Sequence, residues 1–319
     1  MKRFNWEKRG KIFDPRGSSS YMDSYAQNPN ALELSDRIRI YFTTRPMKTI
    51  DGTFVSYTSF ADFDKDDLSK IIYVHKEPVL PLGGIGEFDQ FGIMPGSLVE
   101  LKEENEIWLY YVGWTRMKAV PYNWSIGLAI SKDGGYTFKR FGKGPIIGSV
   151  NNEPYLQACP RVLRLDQNNW VMWYQSGLRW NEFDNHLESV YVTMFANSQN
   201  GIEWQRKGKQ VIPSVVNEEC QTSASVIKID NLYHMFFSYR HGINFRNSNN
   251  GYKIGYAHSE DMISWSREDD KAGIELSENG WDSEMICYPH VVRISGNIVM
   301  FYCGNYFGRE GFGYATLKM

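Results

Sequence analysis

The stretch MPGSLVELKEENEIWLYYVGWTR, residues 94–116, contains two strands around a polar turn. An apolar run from Pro95 to Leu101 meets Lys102–Asn105, and an aromatic-rich run from Ile107 to Trp114 follows. β-Branched and aromatic runs bounded by turn residues read as strands. The same design returns in NPNALELSDRIRIYFTTR (28–45) and CPRVLRLDQNNWVMWYQSGLR (159–179), and again in SASVIKIDNLYHMFFSYRH (223–241) and YPHVVRISGNIVMFYCGNY (288–306). The aligned positions Pro29, Pro95, Pro160, Ala224 and Pro289 are 66, 65, 64 and 65 residues apart. A fixed period of this length signals a repeat architecture.

Each hairpin leads into a third strand: residues 54–62, 125–138, 190–204, 252–265 and 311–319. Three of these end in a polar turn and an aromatic, Ser131–Phe138, Ser198–Trp204 and Ser259–Trp265, a spacing that suits a tight turn with a ring tucked between sheets. Apolar segments 77–83, 144–150, 209–215 and 273–280 read as fourth strands. The expected fold is all-β, a five-bladed β-propeller with four antiparallel strands per blade, spanning 1–319 as a single domain. The last repeat lacks its fourth strand, and GKIFDP (10–15) at the N-terminus supplies it, leaving no open sheet edge at the seam.

Composition agrees. Hydrophobic residues make up 42% of the 319, enough for a large core, and 15% are aromatic. The 35 basic and 37 acidic residues leave a net charge of −2, which argues against nucleic acid or an anionic membrane as partner. The N-terminus has positive charge but no apolar core of a signal peptide, and no apolar run reaches membrane-spanning length. The expected location is the cytoplasm. The four cysteines form no CxxC pair, the six histidines form no HExxH or HxH, and Gly83–Gly92 is no phosphate loop. Nothing in the sequence calls for a metal or a cofactor.

In such a blade, residues just before the first strand and just after the second converge on one mouth of the channel. Acids precede the first strands: Asp23, Asp89, Glu153, Glu218 with Glu219, and Asp282 with Glu284. Arginines follow the second strands: Arg45, Arg116, Arg179, Arg240 with His241, and Arg309. Asn28 and His290 lie at first-strand starts, and Trp114 and Trp180 offer rings on which a sugar can stack. Solvated loop charges and packing between blades explain single members of this set as well. An acid-and-arginine mouth suits a sugar or glycoconjugate ligand with a negatively charged group.

A five-bladed propeller of this size with acids at the inner strand starts resembles the clan of invertase, arabinanase, levansucrase and mannoside phosphorylase. NPNA at 28–31 with IYFTTR ending at Arg45 looks like the first blade of glycoside hydrolase family 130, whose members break mannosides with phosphate or water. Glu219-Cys220 looks like the Glu-Cys of invertase-like enzymes, where the Glu is the general acid. The order Asp23, Glu153, Glu219 parallels the three acids of family 43 arabinanases. The Asp-Pro that recurs in the clan is absent: the matching dipeptides are Asn28-Pro29, Met94-Pro95, Cys159-Pro160 and Tyr288-Pro289. The resemblance implies a carbohydrate-active enzyme, a glycoside hydrolase, phosphorylase or transglycosylase. Its expected acid is Glu219, its base or nucleophile Asp23, and its modulator Glu153. Asn28, Arg45, Asp89, Arg116, Arg179, Arg240, His241, Glu284, His290, Arg309, Trp114 and Trp180 would then hold the substrate. The alternatives are a non-catalytic glycan- or anion-binding propeller and a nucleotide-sugar-processing enzyme of polysaccharide biosynthesis.

Overall fold

The computed structural model describes residues 2–48, 54–246 and 249–318. Strand β1 (Trp6–Phe13) comes first in the chain but belongs to the last blade. Blade one is β2 (Ser24–Glu33), β3 (Arg37–Arg45), β4 (Tyr57–Asp64) and β5 (Ile71–Val74). Blade two is β6 (Gly92–Leu101), β7 (Glu106–Arg116), β8 (Tyr122–Ser131) and β9 (Lys139–Arg140). Blade three is β10 (Gln157–Asp166), β11 (Asn169–Phe183), β12 (His186–Ser198) and β13 (Gln205–Gln210). Blade four is β14 (Cys220–Ile229), β15 (Leu232–Arg240), β16 (Lys253–Ser259) and β17 (Ser266–Arg267). Blade five is β18 (Cys287–Ile294), β19 (Asn297–Cys303) and β20 (Phe312–Leu317), completed by β1 along β20. All pairings within the blades are antiparallel, and the N-terminal closure holds.

Every inner strand carries a bulge near its start, with register shifts at Gln27/Asn30, Pro95/Ser97, Ala158/Arg161, Thr222/Ser225 and Cys287/His290. Asn28, Cys159, Ser223 and Tyr288 sit there at positive φ of 45–56°. The repeated proline follows directly, at a place where a bulge already leaves an N–H out of the ladder. The period of 65 is thus the spacing of the five inner-strand bulges.

The polar turns also form as expected. Ser131, Ser198 and Ser259 Oγ accept backbone N–H groups of Gly135, Gly201 and Met262 (2.8–2.9 Å), and Phe138 and Trp265 are buried between blades. The fourth strands need correction. They lie earlier, at 71–74, 139–140, 205–210 and 266–267, and only 209–210 of the expected segments overlaps one. The apolar segments wedge between neighbouring blades instead, burying Val79, Leu80, Ile147, Ile212 and Ile274. Burial made them apolar, and a short apolar run does not distinguish a strand from a plug.

Candidate functional site

Three hairpin loops, between β7 and β8, β11 and β12, and β15 and β16, surround a cleft of about 990 Å³ at one end of the channel. Tyr288 from the inner bulge of blade five and Phe307 close the remaining side. Phe307 and Tyr306 belong to α1 (Asn305–Gly308), a single turn in which both take left-handed φ (62° and 54°). Tyr306 lines a second cleft of about 730 Å³, together with Asp23, Tyr25, Lys48, Phe54 and Arg309.

The first cleft has an aromatic wall. Tyr122 stacks on Trp124 with centroids 4.6 Å apart and meets Trp180 edge-on at 5.1 Å. Arg240, 4% exposed, closes one side. Its Nη1 donates to the His241 carbonyl (2.7 Å) and its Nη2 to Tyr191 Oη (2.9 Å), with the guanidinium 3.4 Å from the Phe245 ring centre. No carboxylate among the described residues pairs with it. Tyr191 and Tyr252 hydroxyls lie 2.5 Å apart. On the same strand as Tyr191, buried Glu188 accepts from Arg246 Nη1 (2.5 Å). Arg45 shows the same lack of a carboxylate beside the second cleft: it stacks on Tyr25 (4.4 Å) and Phe54 (4.8 Å), and reaches Gln27 Oε1 only at 3.4 Å.

The acids before the first strands fall into two groups. Four are buried and clasped to their own blade. Asp89 Oδ2 accepts from Tyr111 Oη (2.9 Å) and Arg140 Nε (2.8 Å). Glu153 accepts from Tyr174 Oη (2.9 Å) and Ser176 Oγ (3.0 Å), with Arg206 Nη1 at 3.6 Å. Asp282 Oδ2 accepts from Tyr302 Oη (3.0 Å) and Lys8 Nζ (2.7 Å). Glu219 accepts from Arg267 Nη1 (2.6 Å), Gln221 Nε2 (2.7 Å) and the Val215 and Val216 N–H groups. Each clasp ties the loop entering the inner strand to a basic residue on the outermost strand. Burial and then the adjacent carboxylate push the Tyr111, Tyr174 and Tyr302 phenols up, which keeps them neutral donors. Neither Glu153 nor Glu219 lines either cleft. Asp23 is the exception, exposed on the second cleft.

The clasp has a signal in the chain. An aromatic-x-basic triplet marks every outer strand that carries one: Phe138-Lys139-Arg140, Trp204-Gln205-Arg206, Trp265-Ser266-Arg267 and Trp6-Glu7-Lys8. A tyrosine recurs at Tyr111, Tyr174 and Tyr302, with Phe237 at the blade-four position.

The other expected residues scatter. Arg240 lines the first cleft and Arg309 the second. Trp180 packs on the aromatic wall through Tyr122. Arg179 pairs with Glu218, and Arg116 stacks on Phe91 (4.2 Å) and donates to the Phe54 carbonyl (3.2 Å). Trp114 donates to Ser56 Oγ (2.7 Å), His241 supplies its carbonyl to Arg240, and Glu284 is exposed outside both clefts. Asn28 is buried at its bulge, donating to the Pro95 carbonyl (2.5 Å). Among the described residues no group of three or more His, Cys, Asp or Glu is placed to hold a metal ion, and no helix is long and apolar enough to cross a membrane.

His290 lies in the channel beside Arg161, which donates to its Nδ1 (2.7 Å) and to Asn30 Oδ1 (2.9 Å). Since Nδ1 accepts, the imidazole carries its proton on Nε2, facing the Ala31 carbonyl (3.2 Å). Burial, and then Arg161, hold its pKa well below the usual value. An unfolded histidine titrates near ~6.5, so below that pH the unfolded chain binds the extra proton. This contribution is therefore complete above about pH 6.5 and is lost as pH falls. The melting temperature should drop from pH 7 to pH 5, and less so in His290→Gln. A residual slope is expected from His75 and His234, which shift the same way. Identical slopes in both proteins would remove His290 from this account.

No protein-family model matches the chain. It is 32% identical over 315 residues to Uncharacterized protein Rv1502 of Mycobacterium tuberculosis (strain H37Rv), covering 98% of this chain and 99% of that protein. Uncharacterized protein MT1551 of strain CDC 1551 matches to the same extent. The chain belongs to the family of these mycobacterial proteins. Among solved structures, an RGII complex of BT0996 superposes with a TM-score of 0.75 at 18% identity, covering all of this chain and 93% of the other. A second solved structure, a glycoside hydrolase, gives 0.76 at 18%, with the same coverage. A third, from work on family 130 mannoside phosphorylases and glycoside hydrolases that target β-1,2 mannosidic linkages in Candida mannan, gives 0.71 at 12%, covering 98% and 94%. The chain has the fold of the five-bladed glycoside hydrolase clan.

Proposed function

We propose that the protein is a carbohydrate-active enzyme that cleaves or transfers an anionic glycan bound in the cleft walled by Tyr122, Trp124 and Arg240. The observation that carries this reading is Arg240, a buried cation at a cleft wall with no carboxylate partner among the described residues. An ion removed from water costs several kcal/mol unless a counter-charge meets it, and a ligand anion would supply that charge. The stacked Tyr122–Trp124 pair offers the flat apolar face on which a sugar ring sits.

Glycoside cleavage needs a carboxyl group that moves a proton at the scissile bond. Of the carboxylates in this cleft, Glu188 is buried on a strand and Asp184 is exposed on the adjoining turn. Glu188 is the better placed to act, held by Arg246. Asp23 is free to serve in the adjoining cleft, while Glu153 and Glu219 act on the blades. The expected result for Glu188→Gln is a loss of turnover of about 10²-fold or more, with glycan affinity kept within a few-fold. The assay incubates the wild type and variant with an anionic oligosaccharide library and reads products by mass spectrometry. Undiminished turnover in the variant would discard Glu188.

The second reading is a propeller that binds glycans without cleaving them. The bulge positions favour it, since Asn28, Met94, Cys159, Ser223 and Tyr288 carry no carboxylate. Retained binding with no product from any library member would establish it.

A further inference from the structure

We infer that the anionic group held in the Arg240 cleft is a carboxylate, so that the ligand is a uronic acid or another sugar acid and not a sugar phosphate. The inference rests on the reading of this cleft as the glycan site and follows from counting protons and charges there.

Tyr191 and Tyr252 are each at least 96% buried and their hydroxyls share one short hydrogen bond. Two phenols bring two protons, and that bond uses one. If Tyr191 donates to Tyr252, the proton of Tyr252 has no acceptor among the described residues. If Tyr252 donates, Tyr191 Oη accepts both from it and from Arg240 Nη2, and its own proton is the one unclaimed. Either way one buried O–H donor is left over, and both phenols line the cleft. Leaving such a donor unpaired is costly, so an acceptor from the ligand fits here.

Arg240 stands beside this donor with Nε making no hydrogen bond among the described residues and no acid opposite it. Guanidinium and phenol together present N–H and O–H donors to a planar acceptor of two oxygens. Charge sets the valence of that acceptor. The cleft contains Lys118, Arg240 and Arg246 against Asp184 and Glu188, a net charge of +1 with His186 counted neutral. A carboxylate brings the cleft to neutrality. A phosphate monoester, carrying about −1.5 to −2 at neutral pH, overshoots it; Lys118, the other lining cation with no carboxylate partner among the described residues, is exposed on the loop between β7 and β8.

The test is calorimetric titration of the full chain with glucuronate and galacturonate oligosaccharides, the matching neutral oligosaccharides and glucose 6-phosphate. Uronates are expected to bind at least tenfold tighter than either of the others. Tyr191→Phe and Tyr252→Phe each still leave one unclaimed phenolic proton, so each single variant should lose less uronate affinity than the double variant. The double variant has none and should lose about tenfold or more. A merely structural tyrosine pair would show two additive losses instead, and melting curves establish that the double variant is folded. Tighter binding of glucose 6-phosphate overturns the carboxylate assignment and leaves the anionic-glycan reading intact. Equal binding of neutral and acidic glycans overturns both.

Discussion

Arg240→Met is expected to abolish recognition of the acidic group, with a loss of about 100-fold in affinity, while leaving the ligand-free fold as stable as before or more so. The affinity term follows from hydrogen bonds to a charged group, each contributing roughly 1.5–3 kcal/mol when buried. The stability term follows from what Arg240 lacks. Among the described residues its donors reach only the carbonyls of His241 and Gly242 and the Tyr191 hydroxyl, and its guanidinium lies against Phe245. Replacing an ion that has no counter-ion by an apolar side chain of similar length removes a desolvation cost without orphaning a carboxylate. Tyr191 loses one incoming donor, a small term. The opposite changes in binding and stability separate a ligand-directed arginine from a packing one, because a packing arginine would lose both. Calorimetric titration and chemical denaturation of the same two samples decide it, and a stability lowered by more than about 2 kcal/mol would falsify the assignment.

Glu153→Ala is expected to destabilise the protein by about 3–5 kcal/mol, the range for breaking one side of a buried ion pair. Two donors would be left facing a void, Tyr174 Oη and Ser176 Oγ, and the Arg206 guanidinium would lose its counter-charge while keeping the Gly148 carbonyl (2.9 Å). Tyr174→Phe removes one hydrogen bond and should cost only about 1 kcal/mol. Urea denaturation checks both values, and wild-type stability in Glu153→Ala together with lost turnover would return Glu153 to the catalytic role that the clan resemblance implies. The same logic applies to Glu219, except that Arg267 keeps its paired contacts to Asp269 there, which softens the loss.

Legibility of the fold and of the site differed for identifiable reasons. The propeller is readable because the bulge recurs in every blade at a place that tolerates a residue without an N–H, and proline takes it at 29, 95, 160 and 289, after a residue at positive φ at 28, 159 and 288. The closure by β1 was readable because the last repeat ended one strand short. The outer strands are not legible because β9 is only Lys139–Arg140 beside the more apolar wedge at 144–150, while in blade one both the exposed β5 (Ile71–Val74) and the wedge at 77–83, which buries Val79 and Leu80, are apolar runs that composition does not separate. The recurring acids mark the start of each blade in the sequence. Their aromatic-x-basic partners lie about 50 residues downstream within a blade, and for Asp282 at the opposite end of the chain, so one linear reading does not pair them.

Repetition along the chain decides the number of blades, the strand order and the way the ring closes, because these depend on local backbone requirements that recur every 65 residues. Which charges are paired and which stay open to a ligand is settled only in three dimensions. Arg240 and Arg267 both lie in blade four, Arg240 at the end of β15 and Arg267 on β17, yet Arg267 reaches two carboxylates and Arg240 none among the described residues. A charge is available to a ligand only when nothing in its own fold neutralises it, and that depends on neighbours brought together from distant parts of the chain.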